Sequence, residues 1–159
     1  SSPLPLHNVT KANFKNQKTY FSEVKQKMNT QFFIPMIPPT VTAQEHRVGI
    51  NKSGKPYFYD SAEIKAAKVK FRDHLAAYVP KQQYTGPVRL MVKWLFPITG
   101  NHYDGEYKTS KPDTDNLQKI LKDLLTALHF WKDDVLVVSE IVEKFYAEKP
   151  GLFICIQDL

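Results

Sequence analysis

Lys111-Pro112-Asp113-Thr114-Asp115-Asn116-Leu117-Gln118-Lys119 opens the most strongly patterned segment of the 159-residue chain. Behind it Leu117, Ile120, Leu121, Leu124, Leu125 and Leu128 recur at helical spacing, an apolar stripe that requires a core to face. Pro112 keeps Lys111 out of helical geometry, so the helix begins just after it. Asp113 or Asp115 can serve as N-cap, and both suit the positive end of the helix dipole. Asp115 and Lys119 share a face, with Lys122 and Asp123 further along it and the leucines roughly opposite. A solvated charged face is one reading of this pattern. A divalent-metal site is the other, since hard cations take oxygen ligands from closely spaced carboxylates. An EF-hand starting at Asp113 is excluded: Leu117 stands at a ligand position, Gln118 at the turn glycine and Leu124 at the closing glutamate. An aspartyl-phosphatase nucleophile is excluded because residues 109–112 are polar, not a buried strand end.

Working outward, residues 88–96 alternate Val88, Leu90, Val92 and Trp94 with Arg89, Met91, Lys93 and Leu95, which predicts a strand with one buried face. Asp60-Ser61-Ala62-Glu63 reads as a capping-box variant for a helix that buries Ile64, Ala67, Phe71, Leu75 and Tyr78 and stops at Pro80. Further strands are expected at 31–36, ended by Pro38-Pro39, at 56–59, at 135–144, opened by Asp133-Asp134, and at 152–158 after a Lys149-Pro150-Gly151 turn. Phe130 and Trp131 are expected to plug the core at the end of the central helix. Residues 40–55 read as an irregular basic flap and 98–111 as a polar loop, where His102 and Asp104 are exposed residues or extra ligands. The outline is β-β-α-β-α-β-β, an α+β domain with two main helices on one side of a small mixed sheet.

One domain over 28–159 follows from length, with a basic extension over 1–27, which holds five of the lysines and one glutamate. Within residues 1–30, Tyr20, Phe21, Val24 and Met28 can form one face of a short helix. Net charge is +6, so an acidic partner suits the chain, although most of the excess lies in the extension. The single cysteine, Cys155, excludes an intrachain disulfide and sits in an apolar run as a small core residue. No His/Cys cluster has zinc spacing, and no run is apolar enough to span a membrane or form a signal peptide. A soluble cytoplasmic protein is the expectation.

The run from Asp113 to Lys119, then Asp123, then Phe130-Trp131-Lys132-Asp133-Asp134, resembles the RusA family of Holliday junction resolvases. The match is dense from 111 to 138 and weaker back to Pro38-Pro39 and forward to the C-terminus. The resemblance implies a RusA-like fold and a homodimeric, metal-dependent endonuclease. It would act on branched DNA in recombination and repair, often in phage or prophage settings. Asp113, Asp115 and Asp134 match the acidic site, expected to hold Mg²⁺ or Mn²⁺, and Lys119 matches the functional lysine. Asp123 and Asp133 match as supporting residues, and Asn116 is expected to secure the helix start. Arg47, Lys52, Lys55, Lys108 and Lys111 are the candidate DNA contacts. Residues 40–43 lack the asparagines usual after the Pro-Pro pair. A non-catalytic junction-binding protein keeping the same fold is the rival reading, and a structural protein with a capped helix the third.

Asp134 lies six residues past Leu128. The helix from Asp115 to Leu128 is about 20 Å long, and six extended residues span about 20 Å. Returning Asp134 to its own Asp113 thus needs a nearly straight path, which raises the alternative that a second chain supplies it.

Overall fold

The alternating run Val88–Pro97 forms the central strand of the structure, a computed structural model that describes residues 26–40 and 46–159. In chain order the elements are β1 (Asn29–Pro35), β2 (His46–Ile50), β3 (Pro56–Asp60), α1 (Ala62–Ala76), β4 (Val88–Pro97), α2 (Thr114–Ala127), a 3-10 turn (Asp134–Leu136), β5 (Val137–Ala147) and β6 (Gly151–Asp158). The main sheet has the order β1-β6-β4-β5, with β4 and β5 parallel and the other pairs antiparallel. The parallel pair follows from the crossover through α2, which returns the chain to the same end of the sheet. Except for Gln26, Lys27 and Met28, the expected N-terminal extension and its short helix lie outside the described residues.

On β4 the side chains of Val88, Leu90, Val92, Trp94 and Phe96 are buried, and those between them are half-buried. The buried face packs on both helices, through Phe71 and Leu75 of α1 and Leu117, Ile120, Leu121, Leu124 and Leu125 of α2. The expected stripe on α2 is therefore the core face. On α1, Tyr78 departs from the expectation: the helix ends at Ala76, before Pro80, and Tyr78 is partly exposed, stacked on Phe32 at 4.4 Å.

Two other differences have local causes. The segment expected to be irregular contains β2, paired antiparallel with β3. Its apolar residues Val48 and Ile50 are 59% and 76% exposed, so no buried alternation marks it. The strand exists through its pairing and its turn, where the Asn51 side chain accepts from Ser53 and Lys55 N–H and Gly54 takes φ +77°. After α2, Asp133-Asp134 open a 3-10 turn rather than the strand itself, which starts at Val137.

Helix α2 ends in a Schellman turn. Phe130 N–H donates to Leu125 O (3.0 Å) and His129 N–H to Thr126 O (3.1 Å), with His129 at φ +67°. This reverses the chain at once and drives Phe130 and Trp131 into the core, where both are fully buried. Each large buried aromatic with a polar atom has a partner: Trp131 Nε1 donates to Thr126 Oγ1, Tyr84 O–H to Ile156 O, and Trp94 Nε1 to Gln118 Oε1.

Gly151, in the β1–β6 ladder opposite Pro35, has no room for a side chain. A Cβ there would meet the Phe33 ring and stand 2.6 Å from Ile34 O, a backbone atom that cannot swing away. Gly151→Ala is expected to cost about 1–3 kcal/mol, measured by urea denaturation; a change below about 0.5 kcal/mol would show that β1 yields freely.

Candidate active site

The central motif enters its helix through a fixed cap. Asp113 is the N-cap, its Oδ1 accepting the Asn116 N–H at 2.9 Å. Asn116 itself is buried. Asp113 does the capping, and Asp115 stands in the first turn. The preceding loop is laced to β5 by backbone bonds from Gly105 N–H to Tyr146 O and Lys108 N–H to Lys144 O. The Lys144 ammonium adds two bonds of 2.8 Å to the carbonyls of Ser110 and Pro112. Burial pushes the Lys144 pKa down, as does neighbouring Lys108, and the Asp113 charge partly offsets them.

Between α2, the 3-10 turn and β5 lies a cavity of about 480 Å³, lined by Thr114, Asp115, Gln118, Lys119, Lys122, Asp123, Asp134, Glu140 and Val142. Four carboxylates face two ammonium groups, so this cavity is acidic in a chain of net charge +6. Asp133 caps the 3-10 turn that begins at Asp134, its Oδ1 accepting Val135 N–H at 3.0 Å.

One carboxylate is tied to the core. Glu140 Oε1 accepts from Gln118 Nε2 (2.9 Å), whose Oε1 accepts the Trp94 indole N–H (2.8 Å), and Glu140 Oε2 accepts from Lys122 Nζ (3.1 Å). Among the described residues, no three acidic, histidine or cysteine side chains stand close enough to hold one metal ion. A closed three-ligand cage is thus absent among the described residues. The donor chemistry still fits Mg²⁺, which is commonly held by one or two carboxylates, with waters and substrate phosphates completing its shell. Asp115 and Asp134 both line this cavity with oxygen donors of that kind.

Residues 36–157 match the family model described as Endodeoxyribonuclease RusA. The chain belongs to the RusA endodeoxyribonuclease family. It is 30% identical over 136 residues to the crossover junction endodeoxyribonuclease rusA of Lactococcus phage r1t, covering 84% of this chain and 99% of that protein. It is also 32% identical over 128 residues to the uncharacterized protein YqaN of Bacillus subtilis (strain 168), covering 74% of this chain and 89% of that one. The chain is therefore a nuclease by family, and its mixed α+β architecture is consistent with the RusA fold.

Of the residues singled out in this RusA-family chain, Asp115, Lys119, Asp123 and Asp134 line the cavity together. Asp113 does not line it and stands at the helix cap. One chain suffices to bring Asp115 and Asp134 to a common cavity. The lining residues of α2 extend from Thr114 to Asp123, about 14 Å along the axis, so Asp134 need not retrace the whole helix.

The candidate DNA contacts are scattered. Lys52 and Lys55 are exposed at the β2–β3 turn, and Arg47 lies on β2. Lys111 is exposed just before the cap. Lys108 is half-buried, its ammonium over the Phe96 and Tyr146 rings at 5.2 and 5.1 Å and bonded to Ser110 Oγ. His102 pairs with Glu106 of its own loop and stacks on the Tyr146 ring of β5, and Asp104 accepts from Glu148 N–H just beyond β5. Neither lines the cavity.

Sequence reading missed Gln118 and Glu140. Two signals bore on them. A tryptophan in a buried strand alternation needs an acceptor from the facing helix, and Glu140 shares a strand face with Val142 in an otherwise β-forming run.

Proposed function

We propose that the chain is a divalent-metal-dependent endonuclease that resolves four-way DNA junctions in recombination and repair by paired symmetric cuts. The observation that carries this is the acidic cavity with Asp115 and Asp134 beside Lys119. Asp115 and Asp134 would hold Mg²⁺, or Mn²⁺ with the same oxygen donors, while Asp113 caps the helix that carries Asp115. When bound, such an ion activates a water and relieves charge on the scissile phosphate. Lys119 neutralises the charge that develops on the phosphate or its leaving oxygen. Asp123, one helical turn along, orients Lys119. Lys52, Lys55, Lys111 and Arg47 track flanking phosphates, which makes binding steeply salt-dependent. Two symmetric cuts need two sites, and a two-fold homodimer supplies them. The junction specificity rests on family membership and on the printed name of the phage relative.

The test is cleavage of a labelled synthetic four-way junction beside a linear duplex of the same arms. Paired nicks confined to the junction, present with Mg²⁺ and absent with EDTA, are expected. Junction binding with no cutting under Mg²⁺ or Mn²⁺ overturns the proposal and leaves a non-catalytic binding protein.

A further inference from the structure

Strand β5 meets the acidic cavity and the helix entrance with one face. Glu140, Val142 and Lys144 are two residues apart and project from the same side of the strand. Glu140 and Val142 line the cavity, and Glu140 grips α2 through Gln118 and Lys122. Lys144, next along that face, reaches the other end of the motif. Its Nζ donates to Ser110 O and Pro112 O at 2.8 Å each. Pro112 immediately precedes the N-cap Asp113. Those carbonyls belong to a loop with no regular ladder at that point, so a side chain takes the place of backbone pairing. Lys108, the neighbouring cation, engages the Ser110 hydroxyl and two aromatic rings instead.

We infer that Lys144 is a positioning residue: it clamps the backbone at 110–112 to β5 and so sets the N-cap Asp113 and first-turn Asp115 against Asp134. The inference rests on the nuclease reading for the role of those aspartates, but the clamp itself is measurable without it. Two bonds within three residues of the cap fix the direction in which the helix leaves the loop. A displacement of about 1 Å at a reacting centre can lower a rate about 100-fold.

The experiment compares wild type with Lys144→Met, which keeps length and loses all donors, and Lys144→Arg, which keeps charge and donors. Amide hydrogen exchange is read first, without metal or DNA. The Asn116 N–H, held by Asp113, is expected to exchange at least about tenfold faster in Lys144→Met, while Ile154 in the core is unchanged. Lys144→Arg should stay near wild type. In cleavage assays Lys144→Met should lose about 100-fold in kcat, with junction Kd in Ca²⁺ unchanged and a higher Mg²⁺ requirement. Lys144→Arg should recover most of that rate. Unchanged exchange at Asn116 in folded Lys144→Met overturns the clamp. Equal losses in Kd and rate make Lys144 a DNA contact and overturn it too. A wild type that cuts no branched DNA defeats the nuclease reading, and the exchange comparison still decides the clamp. Should Lys144→Met fail to fold, Lys144→Gln, whose shorter arm cannot reach both carbonyls, is read the same way, and normal exchange there overturns the inference.

Discussion

Asp134→Asn is expected to lower junction cleavage by about three orders of magnitude while leaving junction binding within about twofold. The size follows from what the carboxylate is asked to do. A cation at a phosphodiester contributes several kcal/mol of transition-state stabilisation, and about 4 kcal/mol corresponds to about a thousandfold in rate. The substitution is also clean. Asp134 lies in the 3-10 turn, but the turn is capped by Asp133, whose Oδ1 holds Val135 N–H. Asparagine keeps the shape and removes only the charge, so stability should change by less than about 0.5 kcal/mol. Asp113→Asn is a less telling change, since Asp113 is the N-cap of α2. Single-turnover cleavage in Mg²⁺ and gel shift in Ca²⁺ separate the two effects. Cleavage by Asp134→Asn within tenfold of wild type would remove Asp134 from the cation-holding pair. Lost binding with cleavage falling in proportion would instead make the site one for DNA capture.

The elements legible in the sequence were those whose side-chain period meets a core. The leucine stripe of α2 and the alternation of β4 each match a buried face, except that Leu128, the C-cap, is only partly buried. Strand β2 was not legible, because Val48 and Ile50 face solvent and its existence depends on β3. The site divides in the same way. Asp115, Lys119 and Asp123 were readable because helical spacing places them on one face. Glu140 and Lys144 were not, because nothing local says which helix their strand will meet. Their meaning comes from the pairing of β5 with β4, which sets Lys144 opposite Trp94 and brings Glu140 to Gln118. Asp134 needs no path back to the helix start. The cavity instead runs along two turns of α2, and the Schellman turn at His129 spends no residues on a wide reversal.

That reversal depends on Trp131, and Trp131→Ala is expected to destabilise the domain by about 3–5 kcal/mol. The indole is fully buried, its Nε1 bonded to Thr126 Oγ1, and its backbone bridges to Tyr84. Total stabilities of such domains are about 5–15 kcal/mol, so the loss is a large fraction of the whole. At about 2–4 °C per kcal/mol for a chain of this size, the melting temperature should fall by about 10 °C. Trp131→Phe, which keeps a ring and loses the hydrogen bond, should cost much less; the Thr126 hydroxyl still donates to Lys122 O. The functional consequence is specific, because Trp131 is the last deeply buried residue before Asp134. Below its melting temperature, Trp131→Ala should lose more cleavage than junction binding, since Asp134 loses its nearest anchor while the basic β2–β3 turn is untouched. Urea denaturation and cleavage on the same preparation test both halves. A cost below about 1 kcal/mol would mean that β5, not the helix-end plug, holds Asp134 in place.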